Sequence, residues 1–167
     1  MSTPTPARAL ADISAGTITA TVWINASPER VFDSLTTEEV AAWWGSADTY
    51  RVSRWTGDLV PGGAWRSEGV SQGGGSFSVY GEFLAIARPH TLTLTWNHDW
   101  DDSPATTVTY RLEARDGGTL VNVFHEGFGD SVASCEGHAQ GWERVLGWLQ
   151  LHASGAAARP VAAVPAA

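Results

Sequence analysis

The sequence predicts an α+β fold in which a curved antiparallel sheet wraps around one long C-terminal helix. Three observations predict it. Short segments of alternating apolar and polar residues recur between Gly-, Pro- and Asp-rich turns. Two short helical patterns follow the first of these segments, and one long segment of helical period closes the chain. At 167 residues and 43% apolar composition, the chain suffices for one core.

The first strand is read over Thr17–Asn25, where Ile18, Ala20, Val22 and Ile24 alternate with polar neighbours. Ser27-Pro28-Glu29 then starts a helix, with Ser27 as cap and Pro28 at the first helical position. Thr36 and Glu39 have the spacing of a capping box and predict a second short helix carrying Val40, Trp43 and Trp44, ended by Gly45. Adjacent helical residues diverge by about 100°, so Trp43 and Trp44 are expected to divide between core and rim.

Strands are expected over Tyr50–Trp55, Ala64–Gly69, Phe77–Ala87, Thr91–Trp96, Thr106–Ala114 and Thr119–Glu126. The punctuation between them is Pro61-Gly62-Gly63, Gly73-Gly74-Gly75, Arg88-Pro89-His90, the acidic loop His98–Pro104, and Asp116-Gly117-Gly118. The closing helix is placed at about Asp130–His152, with Trp142, Val145, Leu146 and Leu149 on one face. Gly137, Gly141 and Gly147 lie inside it, each costing about 1 kcal/mol relative to Ala. Close helix–sheet approach or space for a ligand are the two physical offsets. Residues 1–16 and 154–167 read as disordered tails, leaving 17–153 as the folded domain.

The formal charge is −8, and all ten cations are arginines. Without a basic cluster, nucleic-acid binding and attraction to an anionic membrane are disfavoured. Cys135 is the single cysteine, so no internal disulfide is expected. No signal-peptide pattern or membrane-spanning apolar run is read, which leaves a cytoplasmic protein as the expectation. Nine tryptophans are an unusual number, and such rings line pockets for flat or greasy molecules as readily as they fill a core.

Several segments together resemble a known superfamily. Ile24-Asn-Ala-Ser-Pro-Glu-Arg-Val-Phe32 with Trp43-Trp44 is similar to the opening of SRPBCC (START-like) domains. Asp58-Leu-Val-Pro-Gly-Gly-Ala-Trp65 resembles the branch related to the activator of the heat-shock-protein-90 ATPase. So do Gly81–Leu92 with Trp96, Gly117-Gly-Thr119, His125, and His138-Ala-Gln-Gly-Trp142. The resemblance covers about residues 18–150 and implies a helix-grip (Bet v 1-like) fold with a cavity between sheet and last helix. It further implies a small hydrophobic ligand, with Trp44, Tyr80, Phe83, Trp96, Tyr110, Val123, His125, His138 and Trp142 as expected ligand-binding residues. No cofactor or metal is expected.

His125 shares strand parity with Thr119, Val121 and Val123, which aims it inward if that face is internal. There it serves either as an acid–base group, with Tyr80, Glu82 or Asp58 as partner, or as a structural histidine satisfied by a neighbour. The first role would make the cavity that of a cyclase, dehydratase or hydrolase; a simple binding protein is the leading reading. The acidic loop and Gly73–Gly75 are expected near the cavity mouth. Asp99, Asp101 and Asp102 beside His98 lack the spacing of a calcium loop and read as a solvated turn. Cys135, near the helix start, is read as a buried spacer or a thiol activated by the helix dipole. Exposed aromatic rims are compatible with a homodimer. The family name alone implies a chaperone partner, for which the residues offer little.

Overall fold

A computed structural model describes residues 5–155. Eight strands and three helices follow in the order β1 (Arg8–Asp12), β2 (Thr17–Ile24), α1 (Pro28–Thr36), α2 (Val40–Trp43), β3 (Arg51–Gly57), β4 (Ala64–Val70), β5 (Ser76–Ala87), β6 (Thr91–His98), β7 (Thr106–Arg115), β8 (Gly118–Glu126) and α3 (Val132–Gln150). A wider, π-type turn over Leu151–Gly155 continues α3. The strands form one curved antiparallel sheet in the order β1-β2-β8-β7-β6-β5-β4-β3. The helix-grip fold expected from the sequence is therefore present.

The expected strands form within one or two residues of their bounds, because alternation matches burial. Ile18, Ala20, Val22 and Ile24 of β2 are all buried. Asp116 (φ 52°) and Gly117 (φ 79°) both adopt the positive φ of a two-residue hairpin turn, so Arg115 pairs with Gly118 and the β7–β8 register is fixed. At Gly45 (φ 125°), a Cβ would lie 2.3 Å from Tyr50 O. Only Gly permits the chain to fold back there from α2 into β3. Ser27 caps α1 as expected, its Oγ accepting from Arg30 N at 3.1 Å.

Two expectations are corrected. Arg8–Asp12 is not a tail: it pairs along β2, from Arg8 opposite Thr21 to Asp12 opposite Thr17. Its inward residues are only alanines, Ala9 and Ala11, with Ala7 just before it, while Leu10 points out at 75% exposure, so the usual apolar alternation is masked. The capping box of Thr36 and Glu39 does not form either. Thr36 stays in α1 and donates to Phe32 O at 2.8 Å. Glu39 Oε1 instead accepts from Arg30 (2.6 Å), Ser34 (2.9 Å) and His152 (2.6 Å), tying α1 to the end of the last helix. Burial opposes ionisation of Glu39, but these three donors outweigh it and keep the carboxyl below its ordinary range. Ser154, read as tail, accepts from Asn25 N at 2.9 Å; residues 1–4 and 156–167 lie outside the described part.

The helix α3 packs mainly on β2 and β1, at one side of the sheet. Val145, Leu146 and Leu149 join the core there with Ile18, Val22, Phe32, Val121 and Val123. Strands β3 to β6 curl past the other side of α3, and the space left between them positions the site.

Candidate ligand cavity

Between α3 and the curled half of the sheet lies a cavity of about 760 Å³. That is within the range of pockets that enclose drug-sized molecules. Six of the nine tryptophans line it: Trp44, Trp55, Trp65, Trp96, Trp100 and Trp142. Trp43, by contrast, is 5% exposed in the core and donates to Ser34 O at 2.8 Å. The adjacent tryptophans thus divide as helical geometry requires. Trp96 is the hub, with ring centroids 6.0 Å from Trp44, 5.5 Å from Trp65 and 5.8 Å from Trp142. Its Nε1 is the one buried side-chain nitrogen or oxygen without a hydrogen-bond partner among the described residues.

The wall contributed by α3 runs from Ala133 to Val145, a length of about 18 Å. Gly137 and Gly141 lie on it, and a Cβ at either would meet nothing within 4 Å. Close helix–sheet approach therefore does not explain these two glycines; they widen the cavity. Gly147 also faces open space but lies off the cavity wall, and nothing in the structure explains it.

His125 is fully buried on the inward face of β8, as its parity predicts, yet it does not line the cavity. Trp142 Nε1 donates to His125 Nδ1 at 3.0 Å, which leaves the imidazole proton on Nε2. That nitrogen contacts Thr106 Oγ1 at 2.7 Å, and the threonine hydroxyl reaches Trp96 O at 3.3 Å. Both ring nitrogens are occupied. Burial first, then His138 and His98, push the His125 pKa well below its ordinary value. The arrangement fixes a neutral ring that orients Trp142, and offers no free nitrogen for proton transfer. The acid–base partners considered for it are also elsewhere: Tyr80 is 39% exposed under Arg66, and Glu82 and Asp58 are on the surface.

The other expected residues separate cleanly. Trp44, Trp96, Tyr110, His138 and Trp142 line the cavity. Tyr80, Phe83, Val123 and His125 do not. Val79 and Phe83 face inward, so Tyr80 between them faces out, and Phe83 and Val123 are spent in the core at 0% and 1% exposure. The bulge between Phe83 and Ala85 then shifts the parity of β5.

His138 is the cavity histidine. Its Nδ1 lies 2.8 Å from Ser134 O, so it carries the proton and leaves Nε2 as an acceptor without a described partner. Burial, and then the neighbouring His98, outweigh the Ser134 contact and lower its pKa. Tyr110, 3% exposed, has no described partner for its hydroxyl, and burial raises its pKa, so it is a neutral phenol in the wall. Both loops expected at the mouth border the cavity, through Gly75 and through Trp100 and Asp101. His98 donates to Asp101 Oδ1 at 2.7 Å and stacks on Trp100 at 4.2 Å. Hydrogen bonds from Ser103, with that from His98, pull Asp101 down to about 2.

Sequence reading missed Tyr50 and Arg144. Tyr50 accepts from Trp44 Nε1 at 3.3 Å and lines the cavity beside Phe77. Arg144, on the exposed edge of α3, also lines it. The helical spacing of Gly137, Gly141 and Arg144 was the available signal. Cys135 is 1% exposed with its thiol directed at Thr17 O (3.6 Å), and burial raises its pKa; it is the buried spacer, not an activated thiol. Among the described residues, no three His, Cys, Asp or Glu side chains converge to hold a metal, and no helix is long and apolar enough to cross a membrane.

The family described as "Activator of Hsp90 ATPase homolog 1-like protein" matches residues 25–153. The chain belongs to this family. It is a branch of the SRPBCC superfamily, and the placement agrees with the segments that suggested it. No curated protein matches. Among solved structures, a protein from Rhodobacter sphaeroides is similar with 20% identity and a TM-score of 0.74 over 86% of this chain and 96% of that one. The AHSA1-like protein from Aeromonas hydrophila is similar with 19% identity and a TM-score of 0.70 over 90% and 99%. Protein Ms6760 from Mycobacterium smegmatis is similar with 21% identity and a TM-score of 0.72 over 85% and 93%. At such identities the likeness carries the fold alone.

Proposed function

We propose that this protein binds a small, flat, hydrophobic or aromatic molecule in the cavity between α3 and strands β3 to β6. The observation that carries the reading is the pair Gly137 and Gly141. Alanine fits at both positions without touching anything and would favour the helix by about 1 kcal/mol each. Bare backbone there serves a flat ring lying against α3, opposite Trp44 and Trp96.

Burying a two-ring aromatic removes about 200 Å² from water, a gross gain of about 5 kcal/mol. Association costs about 4 kcal/mol or more in lost freedom of motion. Apolar burial alone thus holds a ligand weakly, and the polar groups of the wall decide which ligand stays.

Native mass spectrometry of protein purified from the cells that make it tests the reading, with Gly141→Leu, which fills the cavity, alongside. The expected result is a discrete apolar mass on the wild type and none on the variant. An empty wild type whose melting temperature is unmoved by a panel of aromatic ligands would remove the cavity-binding reading.

A further inference from the structure

Several hydrogen-bonding groups on the cavity wall are already committed. The indoles of Trp44, Trp65 and Trp142 donate to Tyr50, Thr95 O and His125. Ser71 donates to Gly75 O, and Asp101 is held by His98 and Ser103. On the sheet and loops, the Tyr110 hydroxyl, the Trp55 and Trp100 indoles and the Ser67 and Ser76 hydroxyls also have no described partner, and on α3 two groups remain. His138 Nε2 is an acceptor with no described partner. Arg144 makes no ion pair among the described residues.

These two groups have opposite requirements and a fixed separation. An acceptor nitrogen needs a donor such as a hydroxyl; a guanidinium prefers a carboxylate. They lie about 9 Å apart along the helix axis, with Gly141 between them. Asp101 lines the cavity and is held by His98, whose ring lies 5.5 Å from that of His138. A ligand carboxylate is therefore repelled from the His138 end and favoured at the Arg144 end. The net charge of −8 opposes an anion only diffusely, since exposed charges beyond about 8 Å are largely screened at physiological salt.

Resting on the cavity-binding reading, we infer that the ligand is a flat two- or three-ring aromatic acid with a hydroxyl at its opposite end. The hydroxyl donates to His138 Nε2, the rings cover Gly137 and Gly141, and the carboxylate meets Arg144 at the mouth.

Isothermal titration calorimetry with three probes tests this: 6-hydroxy-2-naphthoate, 2-naphthoate and 2-naphthol. On the wild type, the hydroxy acid should bind about tenfold tighter than 2-naphthoate, the worth of a hydrogen bond in a partly dry site. It should bind about threefold tighter than 2-naphthol, a smaller factor because Arg144 is exposed to solvent. His138→Phe should erase the first preference and keep the second; Arg144→Met should do the reverse. Equal affinity of the three probes for the wild type overturns the inference and leaves cavity binding standing. Binding of none overturns both. The wild-type comparison needs no variant, so a misfolded substitution cannot obscure it.

Discussion

The two ends of α3 face the same sheet and treat it differently. Beyond Trp142, the helix buries Val145, Leu146, Leu149 and Ala153 against β1, β2 and β8, and Gln150 donates to Trp23 O at 2.7 Å and Thr5 O at 2.9 Å. Before Trp142, Gly137 and Gly141 touch nothing across the gap, and His138 holds a nitrogen in reserve. Packing dominates beyond Trp142, although Arg144 and Val145 still border the cavity, and before Trp142 only Cys135 and Ala139 of the helix are buried. Trp142 divides the two halves, held from below by the sealed chain through His125 and Thr106. A helix packed along its whole length would close the cavity; one bare along its length would not stay on the sheet.

Substitutions should separate the halves, beginning with the packed one. Leu149→Ala should cost about 2–5 kcal/mol in urea unfolding, because 0% exposure leaves no room for collapse without a void. A loss under 1 kcal/mol would mean that the C-terminal half is not the anchor.

At the divide, His125→Gln should cost about 1–3 kcal/mol by disturbing a network whose members are all buried. A pH dependence goes with it. The folded pKa of His125 lies well below that of the unfolded chain, so the unfolded state binds the proton first as pH falls. The contribution is complete above about pH 6.5 and is lost below it, by up to about 1.4 kcal/mol per pH unit. Urea titrations at pH 7.5 and 5.5 should show this slope in the wild type and a shallower one in the variant, the remainder coming from His138, which shifts the same way. Gln150→Met, removing the two hydrogen bonds at the helix end, should cost about 1 kcal/mol by the same assay.

Much of this division was legible in the sequence, though unevenly. Trp142, Val145, Leu146 and Leu149 announced the packed face by spacing, and the parity of His125 announced its burial. The three helix glycines posed the question of space, but which two of them front a cavity depends on how α3 lies over the sheet. Tyr80 misled because side-chain direction on β5 depends on the register with β4 and β6, which no local pattern sets. The edge strand β1 stayed hidden since its inward residues are alanines. Glu39 followed a local capping rule on paper, while distant Arg30 and His152 claimed its carboxylate.

The most direct test of a helix surface kept open for a ligand is the double variant Gly137→Ala/Gly141→Ala, measured for stability and for binding of 6-hydroxy-2-naphthoate. The empty variant should be about 1–2 kcal/mol more stable than the wild type, raising its melting temperature by a few degrees, while affinity falls about tenfold. A variant that is less stable, or that binds as tightly as the wild type, would contradict a ligand seated on those two glycines.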